Sequence, residues 1–490
     1  MRSASLFAAG LSLGASLVAA QIPPAEVFRT DFNSSFKFTP SQIKAAQLDD
    51  TTVESAQNII NFDRSQLAFG GPLEDDLYTL PPLTNETGPL KPGQILKVQP
   101  FTDPTAFTIP SNTALSRIIY TTTNFNGTVI PASGFILWPY TPRKFDISDK
   151  EKQASVVIWT HGTSGFFATQ APSAHRGLWY ANSAPFTLAQ AGYAVFAPDY
   201  AGLGISTSWD GSEIPHQYSA SPTAARDALY GFRAALEAFP EKLANNFVVM
   251  GHSQGGGVSW SAAEVLAKEK DEFADLSSGY RGAIAGSPTT KIFSSLPEFV
   301  VPPVAIGLQS IFPSFRLEDW LTPLGVARTK LAKEIDAGIA VFAQFYMNGD
   351  DVVKPDFNET WYVDAFSELG DAGRKDFKGP LLVLQGTEDA SISYNVTAKT
   401  VEDTWKLYPD HDLEFLVATG VGHMPVLDAT RHLWLQWIEE RLGGKPMAKK
   451  GNVRTDLDSF LPIKQYLGAI NSYLQWSGLP QYSYQVPLSG

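Results

Sequence analysis

The sequence of 490 residues contains no cysteine. Disulfide frameworks, thiol nucleophiles and thiolate metal sites are therefore excluded, and stability must come from a hydrophobic core, for which this length is sufficient. Basic residues are also in deficit, because 37 Lys and Arg face 50 Asp and Glu and give a formal net charge of −13. Nucleic acids and anionic membranes are recognised by basic patches, so this balance disfavours both as partners.

Long apolar segments are equally scarce after the first 20 residues. The most apolar later stretch, EFVVPPVAIGLQSIF at 298–312, is short and broken by prolines, so we expect no transmembrane segment. The N-terminus differs, because Arg2, an apolar stretch and small residues before Gln21 form the pattern of a secretory signal peptide. The sequence therefore predicts a secreted, extracellular protein. Five Asn-x-Ser/Thr sequons predict surface glycosylation at Asn33, Asn85, Asn126, Asn358 and Asn395.

Motifs that bind cofactors and metals are missing as well. The sequence has no H-E-x-x-H, no phosphate-binding P-loop, no EF-hand loop and no dinucleotide-binding G-x-G-x-x-G in its required context. We therefore expect neither a cofactor nor a metal. Aromatic residues are plentiful, with 31 Phe, 17 Tyr and 11 Trp, and only 18% of residues are charged. This composition is typical of a folded, globular chain rather than a disordered one.

From residue 113 onward, short apolar strands alternate with helical segments. ASVVIWTHG, YAVFAPDYAGLG and NFVVMG have the pattern of buried strands, whereas APFTLAQAGY and SPTAARDALYGFRAALEAF have apolar residues at helical spacing. Continuously apolar strands that alternate with helices are typical of a mostly parallel sheet covered on both faces. The sequence therefore predicts an α/β fold with a mostly parallel central sheet flanked by helices.

Two segments depart from this alternation. Residues 21–112 are rich in Pro, Thr, Asn and Asp and have few periodic runs, which predicts an irregular extension over the core. Residues 289–375 are apolar, mostly helical in pattern and punctuated by prolines, as expected of an inserted subdomain. The predicted organisation is a signal peptide (1–20), an N-terminal extension (21–112), a first core part (113–288), a helical lid or cap (289–375), a second core part (376–442) and a C-terminal tail or flap (443–490).

The stretch Gly251-His252-Ser253-Gln254-Gly255 satisfies G-x-S-x-G and lies between a predicted strand and a predicted helix. Between a strand and a helix, such a serine lies on a sharp turn that lifts it clear of the sheet. The glycines on either side remove Cβ atoms that would collide with this turn. The N-terminus of the following helix favours a developing negative charge at the same place. Ser253 is therefore the predicted nucleophile.

A serine hydroxyl needs a histidine to take its proton and a carboxylate to orient that histidine. In this kind of fold the chain order is serine, acid, histidine, and both partners follow later strands. His423 lies in a glycine-rich loop directly after an apolar strand, whereas His411 precedes that strand and His432 lies on a helical pattern. We predict His423 as the base and Asp389 as the acid, with Glu388 as the competing carboxylate.

The tetrahedral intermediate of acyl transfer needs two backbone donors. We predict the N–H of Gln254, the residue after the nucleophile, and that of Thr163 in the loop WTHGTSGF. His161 in the same loop is upstream of the serine and is interpreted as a hydrogen-bonded structural residue. Asp199 and Tyr200 in PDYAGLGIS are interpreted as braces of a neighbouring loop.

These motifs together resemble the α/β-hydrolase superfamily and, within it, the fungal secretory lipase family of the yeast lipase A type. The resemblance rests on HGT, PDYAGLG, GHSQGG, GTED and GVGH, on the long apolar insertion and on the signal peptide. It implies a secreted serine esterase that cleaves acyl esters, with a lid built from the insertion and a flap from the tail. The absence of cysteine is a departure from that family.

The leading hypothesis is a serine carboxylic ester hydrolase, a lipase or esterase, whose partner is a small-molecule or lipid ester. A short-acyl esterase that removes acetyl groups from a secondary metabolite fits equally, and a serine peptidase of the same fold remains an alternative. A secreted binding module without activity is disfavoured because serine, acid and histidine all stand in order. The sequence leaves acyl length, alcohol group and oligomeric state open.

Overall fold

A computed structural model of the chain describes residues 36–83, 88–145, 153–295 and 300–467. The expected signal peptide and the sequons at Asn33 and Asn85 lie outside these ranges. Ten strands occur in the described residues: β1 Ile95–Gln99, β2 Ala114–Thr123, β3 Val129–Trp138, β4 Ala154–Thr160, β5 Ala194–Pro198, β6 Leu243–His252, β7 Tyr280–Gly286, β8 Leu381–Gly386, β9 Leu413–Ala418 and β10 Asn452–Leu457.

Helices lie between and around these strands. Their bounds are α1 Pro40–Ala46, α2 Asp50–Ser65, α3 Pro185–Gln190, α4 Ser221–Ala238, α5 Gln254–Lys268, α6 Ala274–Ser277, α7 Ile292–Ser295, α8 Val301–Ile311, α9 Leu317–Trp320, α10 Pro323–Glu334, α11 Ile339–Tyr346, α12 Trp361–Gly370, α13 Tyr394–Leu407, α14 Pro425–Ala429 and α15 Arg431–Leu442.

All ten strands join one sheet in the order β1-β2-β3-β5-β4-β6-β7-β8-β9-β10. β1, β2 and β3 pair antiparallel with their neighbours, and every pair from β5 to β10 is parallel. Strand β4 is buried throughout, with Val156 and Ile158 packing on one face of the sheet and Val157 and Trp159 on the other. Successive side chains of a strand point to opposite faces, so helices must cover both. The predicted α/β fold with a mostly parallel central sheet is confirmed.

The described residues between 292 and 370 contain six α-helices, α7 to α12, which we call the cap helices. They share a hydrophobic core that is separate from the two clusters against the sheet. Helix α1 contributes to that same core through Ala46, and α2 contributes through Ile59 and Ile60. The N-terminal segment is therefore not a loose wrapping but part of the layer built by the cap helices.

The expectation of an irregular N-terminal extension was wrong for residues 40–65. Helix α1 begins with a capping box between Thr39 and Gln42, and α2 begins at Asp49, whose side chain accepts a hydrogen bond from the Thr52 N–H. The apolar residues of α2 recur at helical spacing among polar ones. Packing of this apolar face against the cap helices stabilises α2, as is usual for helices in proteins.

The predicted tail also contributes to the sheet. β10 pairs in parallel with β9 over six residues, from Asn452 beside Leu413 to Leu457 beside Ala418. This strand alternates between half-buried and exposed residues and forms one edge of the sheet. Its charged side chains, such as Arg454 and Asp456, are typical of an edge protected against pairing with another chain.

Candidate active site

Ser253 occupies the corner between β6 and α5. Its backbone has φ 60° and ψ −124°, a conformation that residues with side chains rarely adopt. The corner is held from both sides, because the Ser253 N–H donates to the Gly286 carbonyl at 2.9 Å and the Ser253 carbonyl accepts from the Thr289 N–H at 3.3 Å. Strand β7 and the loop after it therefore fix the strained turn that carries the serine.

The two glycines of the motif lie where no side chain fits. A Cβ at Gly251 would overlap the Gly255 carbonyl oxygen and Thr160 Oγ1, and a Cβ at Gly255 would overlap the carbonyl oxygens of Thr160 and His161. These contacts are with backbone or with a fully buried side chain, so the neighbours cannot move aside. Close packing of α5 on the end of β4 accounts for both glycines.

His423 and Asp389 meet in the loops after β9 and β8. The His423 Nδ1 lies 2.9 Å from Asp389 Oδ2, with the carboxylate fully buried and the imidazole 14% exposed. Because a carboxylate accepts, His423 donates from Nδ1, which leaves Nε2 free to accept a proton. Glu388 is exposed, so of the two neighbouring acids Asp389 is the one beside the imidazole.

The surroundings of Asp389 stabilise its charged form. Burial raises the pKa of this carboxyl, but hydrogen bonds from His423 and from the Ile392 N–H outweigh burial and hold the pKa below its ordinary value. Oδ1 accepts from the N–H groups of Ser391 and Ile392 at 2.9 and 2.8 Å, and Oδ2 also accepts from Gln385 at 3.0 Å. The carboxylate is thus ionised and fixed in orientation.

The loop that carries His423 is attached to the serine corner by the residue before the nucleophile. His252 Nε2 donates to the His423 carbonyl oxygen at 2.9 Å, and the centres of the two rings are 4.6 Å apart. Since His252 precedes Ser253 in the chain, this contact brings the His423 loop to the nucleophile.

Gln254 and Thr163, the predicted oxyanion donors, belong to two elements that meet at this corner. Gln254 is the first residue of α5, where backbone N–H groups have no partner within the helix. Its side-chain nitrogen lies 3.2 Å from His216 Nε2, and His216 Nδ1 donates to the Ala201 carbonyl at 3.0 Å. Thr163 Oγ1 lies 2.9 Å from the Tyr218 hydroxyl.

Buried polar residues support the loop that contains Thr163. His161 is stacked on Tyr200 with ring centres 4.2 Å apart, its Nδ1 lies 2.8 Å from the Gly162 carbonyl, and the Tyr200 hydroxyl donates to the His161 carbonyl at 3.0 Å. Burial lowers the pKa of His161 to about 4, so its ring is neutral. Asp199 accepts from the Ser173 N–H at 2.7 Å and from the Ser133 hydroxyl at 2.6 Å.

The other candidates lie apart from this cluster. His411 contacts Asp376 at 2.8 Å, and His432 is exposed on α15. Asn126, Asn358 and Asn395 are exposed sequons.

A profile described as the alpha/beta hydrolase family matches residues 156–432, which is more than half of the chain. The chain belongs to the alpha/beta hydrolase family.

Solved structures share the fold of this alpha/beta hydrolase. Lipase A from Candida antarctica matches with a TM-score of 0.62 at 15% identity, over 86% of this chain and 95% of the lipase. The closed state of that lipase gives a TM-score of 0.60 at 15% identity, over 79% and 90%. The rice cell wall degrading esterase LipA from Xanthomonas oryzae gives 0.52 at 16% identity, over 72% and 97%. No curated protein sequence matches the chain significantly.

Two further properties of the hydrolase bear on what it could bind. In the described ranges, no group of three or more His, Asp and Glu side chains is arranged to hold a metal ion. None of the helices in the described part of the chain has both the length and the apolar character needed to cross a bilayer.

Sequence reasoning missed three buried residues of this hydrolase site. His216, Tyr180 and His252 all make hydrogen bonds around the serine corner. His252 lies inside the G-x-S-x-G motif and could have been noticed there. His216 and Tyr180 lie in loops without a motif, and no local pattern marks them.

Proposed function

We propose that this alpha/beta hydrolase is a secreted serine esterase that cleaves acyl esters through Ser253, His423 and Asp389. The hydrogen bond between His423 Nδ1 and the ionised Asp389, next to the strained turn of Ser253, is the observation that carries the proposal. It supports His423 as the base, because Nδ1 is engaged as a donor and Nε2 is left to accept the serine proton.

In this proposal Ser253 Oγ attacks the ester carbonyl carbon while His423 Nε2 takes the hydroxyl proton. The N–H groups of Gln254 and Thr163 donate to the oxyanion of the tetrahedral intermediate. The intermediate collapses, and the leaving alcohol receives the proton from His423. Water then attacks the acyl-enzyme with His423 again as base, which releases the acid and restores the serine.

An ester substrate is favoured over a peptide by the charges of the cap helices and their connections. A peptidase that binds a free amino terminus needs converging carboxylates near the site. Most acidic side chains between residues 300 and 375 are instead exposed, including Glu318, Asp350, Asp351, Asp364 and Glu368. The layer itself is apolar, with Phe342 packed on Phe166 of the loop that follows β4. The proximity of this apolar layer to the loop that carries Thr163 supports a substrate with an apolar acyl chain.

Two structural neighbours are described as a lipase and an esterase, which agrees with the proposed reaction class. The N-terminal signal pattern supports export, and the exposed sequons at Asn126, Asn358 and Asn395 support glycosylation on that route.

The test is hydrolysis of p-nitrophenyl esters from acetyl to palmitoyl by the purified protein. We expect activity that Ser253→Ala lowers by roughly 10⁶-fold in kcat, since residual catalysis then rests on binding and the oxyanion donors alone. A maximum at long chains indicates a lipase with an acyl-binding cap, and a maximum at acetyl indicates a short-acyl esterase. Hydrolysis that survives in Ser253→Ala, or no ester hydrolysis at all, contradicts the proposal.

A further inference from the structure

Residues 178–181 form an unusual left-handed turn. Leu178, Trp179, Tyr180 and Ala181 have φ of 49°, 49°, 55° and 38°, and none of them is glycine. Each residue with a Cβ is disfavoured in this region, so such a run persists only where the surroundings hold it in place. The turn is buried, with Leu178 at 0% and Tyr180 at 4% exposure.

The turn directs the Tyr180 hydroxyl between the two loops of the site. That hydroxyl lies 2.8 Å from His252 Nδ1 and packs against the Gly162 backbone. A Cβ at Gly162 would overlap it, so glycine at this position admits the phenol. Gly162 precedes Thr163, the proposed oxyanion donor.

The partners fix which atom donates in each contact. The His423 carbonyl can only accept, so His252 Nε2 carries the proton and donates to it at 2.9 Å. Burial lowers the pKa of His252 to about 3, so the ring is neutral and Nδ1 has a free lone pair. Burial raises the pKa of the Tyr180 phenol well above its ordinary value, so Tyr180 remains protonated and donates to Nδ1.

We propose that Tyr180 and His252 are positioning residues for the ester hydrolysis. Tyr180 packs against Gly162, next to Thr163, and donates to His252, which in turn donates to the His423 loop. The proposal rests on the proposed function. His252 itself is not a second base, because its proton is donated to a carbonyl and its other nitrogen accepts from Tyr180. It holds the His423 backbone, and Tyr180 holds the His252 ring in the tautomer that can donate.

The test compares four variants: His252→Leu, His252→Gln, Tyr180→Phe and the double variant Tyr180→Phe/His252→Leu. The readouts are kcat and KM on p-nitrophenyl butyrate and the rate at which a fluorophosphonate probe labels Ser253. Tyr280→Phe is the matched control, because Tyr280 is also buried and its hydroxyl donates a single hydrogen bond, to the Lys378 carbonyl at 3.0 Å, away from the site.

We expect His252→Leu to lower kcat and the labelling rate roughly 100-fold, the usual effect of a base displaced by about 1 Å. KM should stay within about twofold, because substrate binding does not use this contact. His252→Gln can still donate to the His423 carbonyl, so its kcat should be at least about tenfold higher than that of His252→Leu. Tyr180→Phe should lower kcat about tenfold in the native protein. In the double variant it should cause no loss of kcat beyond that of His252→Leu alone. Tyr280→Phe should leave kcat unchanged.

Unchanged kcat and labelling in His252→Leu and Tyr180→Phe overturn the inference, as do additive losses in the double variant. If His252→Leu does not fold, the comparison of kcat and labelling between Tyr180→Phe and Tyr280→Phe tests the inference, since each change removes one oxygen atom. Failure of the proposed function has a different signature, because the unaltered protein would then show no ester hydrolysis.

Discussion

Asp389 and Glu388 are neighbouring carboxylates that the loop after β8 places in opposite environments. Asp389 is buried against His423, and Glu388 is exposed. We expect Asp389→Asn to lower kcat about 10⁴-fold, because an amide at this position no longer holds the imidazole in the tautomer that frees Nε2. The measurement is the kcat of p-nitrophenyl ester hydrolysis.

Glu388→Gln is the matched control for this prediction, since it makes the same chemical change one residue away. Its kcat should stay within about twofold of that of the native enzyme, as expected for an exposed residue that does not contact the imidazole. A large loss in Glu388→Gln with little change in Asp389→Asn would assign the acid to Glu388 and reject the role proposed for Asp389.

Single residues of the site differ in how far the sequence predicts them. Ser253 is predicted from its motif, and His423 is predicted from its place in a glycine-rich loop directly after a strand. The choice of Asp389 over Glu388 depends on which way a loop turns, and a sequence does not show that. Tyr180 and His216 act through contacts with distant parts of the chain, so no local spacing points to them.

At the scale of elements, the loop after β4 is coupled to the cap helices. Phe342 of α11 packs on Phe166 with ring centres 4.5 Å apart, and Gln170 donates to the Asp336 carbonyl at 2.9 Å. Phe342→Ala should cost about 3–5 kcal/mol of stability as a buried ring is lost. It should also lower kcat about tenfold, because the loop that carries Thr163 loses a neighbour and shifts.

Phe345→Ala separates these two effects. Phe345 lies on the same helix, is also fully buried and packs toward Phe38 at 6.3 Å instead of toward the loop. Urea unfolding and kcat are measured for both variants. We expect both variants to lose similar amounts of stability. Only Phe342→Ala should also have a lower kcat. Equal kcat values in the two variants would mean that the cap helices do not influence the loop.

Helices α1 and α2 show how tertiary contacts decide an element that the sequence leaves ambiguous. Arg328 of α10 is buried and donates to the Ala46 carbonyl at 3.1 Å and the Gln47 carbonyl at 3.3 Å, at the end of α1. Its guanidinium also donates to the Phe345 carbonyl oxygen and forms an ion pair with Asp350, with 2.6 Å between Nη2 and Oδ2. A cation at the C-terminus of a helix stabilises that helix. Arg328 lies about 280 residues after the two carbonyl groups of α1 in the chain, so local sequence around α1 does not reveal this contact.

Arg328→Met should therefore destabilise the protein by about 3 kcal/mol, because it leaves several buried carbonyl groups without a donor. Lys330→Met is the control, since Lys330 is exposed on the same helix and its loss should change stability by less than about 0.5 kcal/mol. Urea unfolding gives the free energies, and limited proteolysis should show faster cleavage near residue 47 in Arg328→Met alone. Equal stability of the two variants would contradict this role for Arg328.

For the molecule as a whole, the sequence predicts the sheet better than the edges and the outer layer. The apolar runs of β4 to β9 are visible because strands buried on both faces are predominantly apolar. β10 is half exposed and follows a segment without periodicity, so the sequence pattern predicts a tail there and not a strand. The joint core of the cap helices with α1 and α2 brings together segments more than 200 residues apart, and apolar periodicity carries no information on such pairings.

The pH dependence of global stability offers a test of one buried carboxyl, Glu264 of α5. It is 6% exposed, and burial raises its pKa from 4.5 to about 7 although it accepts from the Gly373 N–H. The folded protein then keeps a proton that the unfolded chain has released. This contribution to stability is fully present below about pH 4.5 and is lost as the pH rises to about 7.

Glu264→Gln removes that titration and keeps an acceptor for Gly373. Relative to the native protein, the variant should gain about 3 kcal/mol of unfolding free energy between about pH 4.5 and about pH 8, at roughly 1.4 kcal/mol per pH unit. Other buried groups, such as Asp227 with a pKa raised to about 6 and His216 with one lowered to about 4, are common to both proteins and cancel in the difference. Glu237→Gln, on the exposed face of α4, makes the same chemical change without burial and is the control. A difference for Glu264→Gln that stays flat with pH would mean that this carboxyl is ionised in the folded protein at neutral pH.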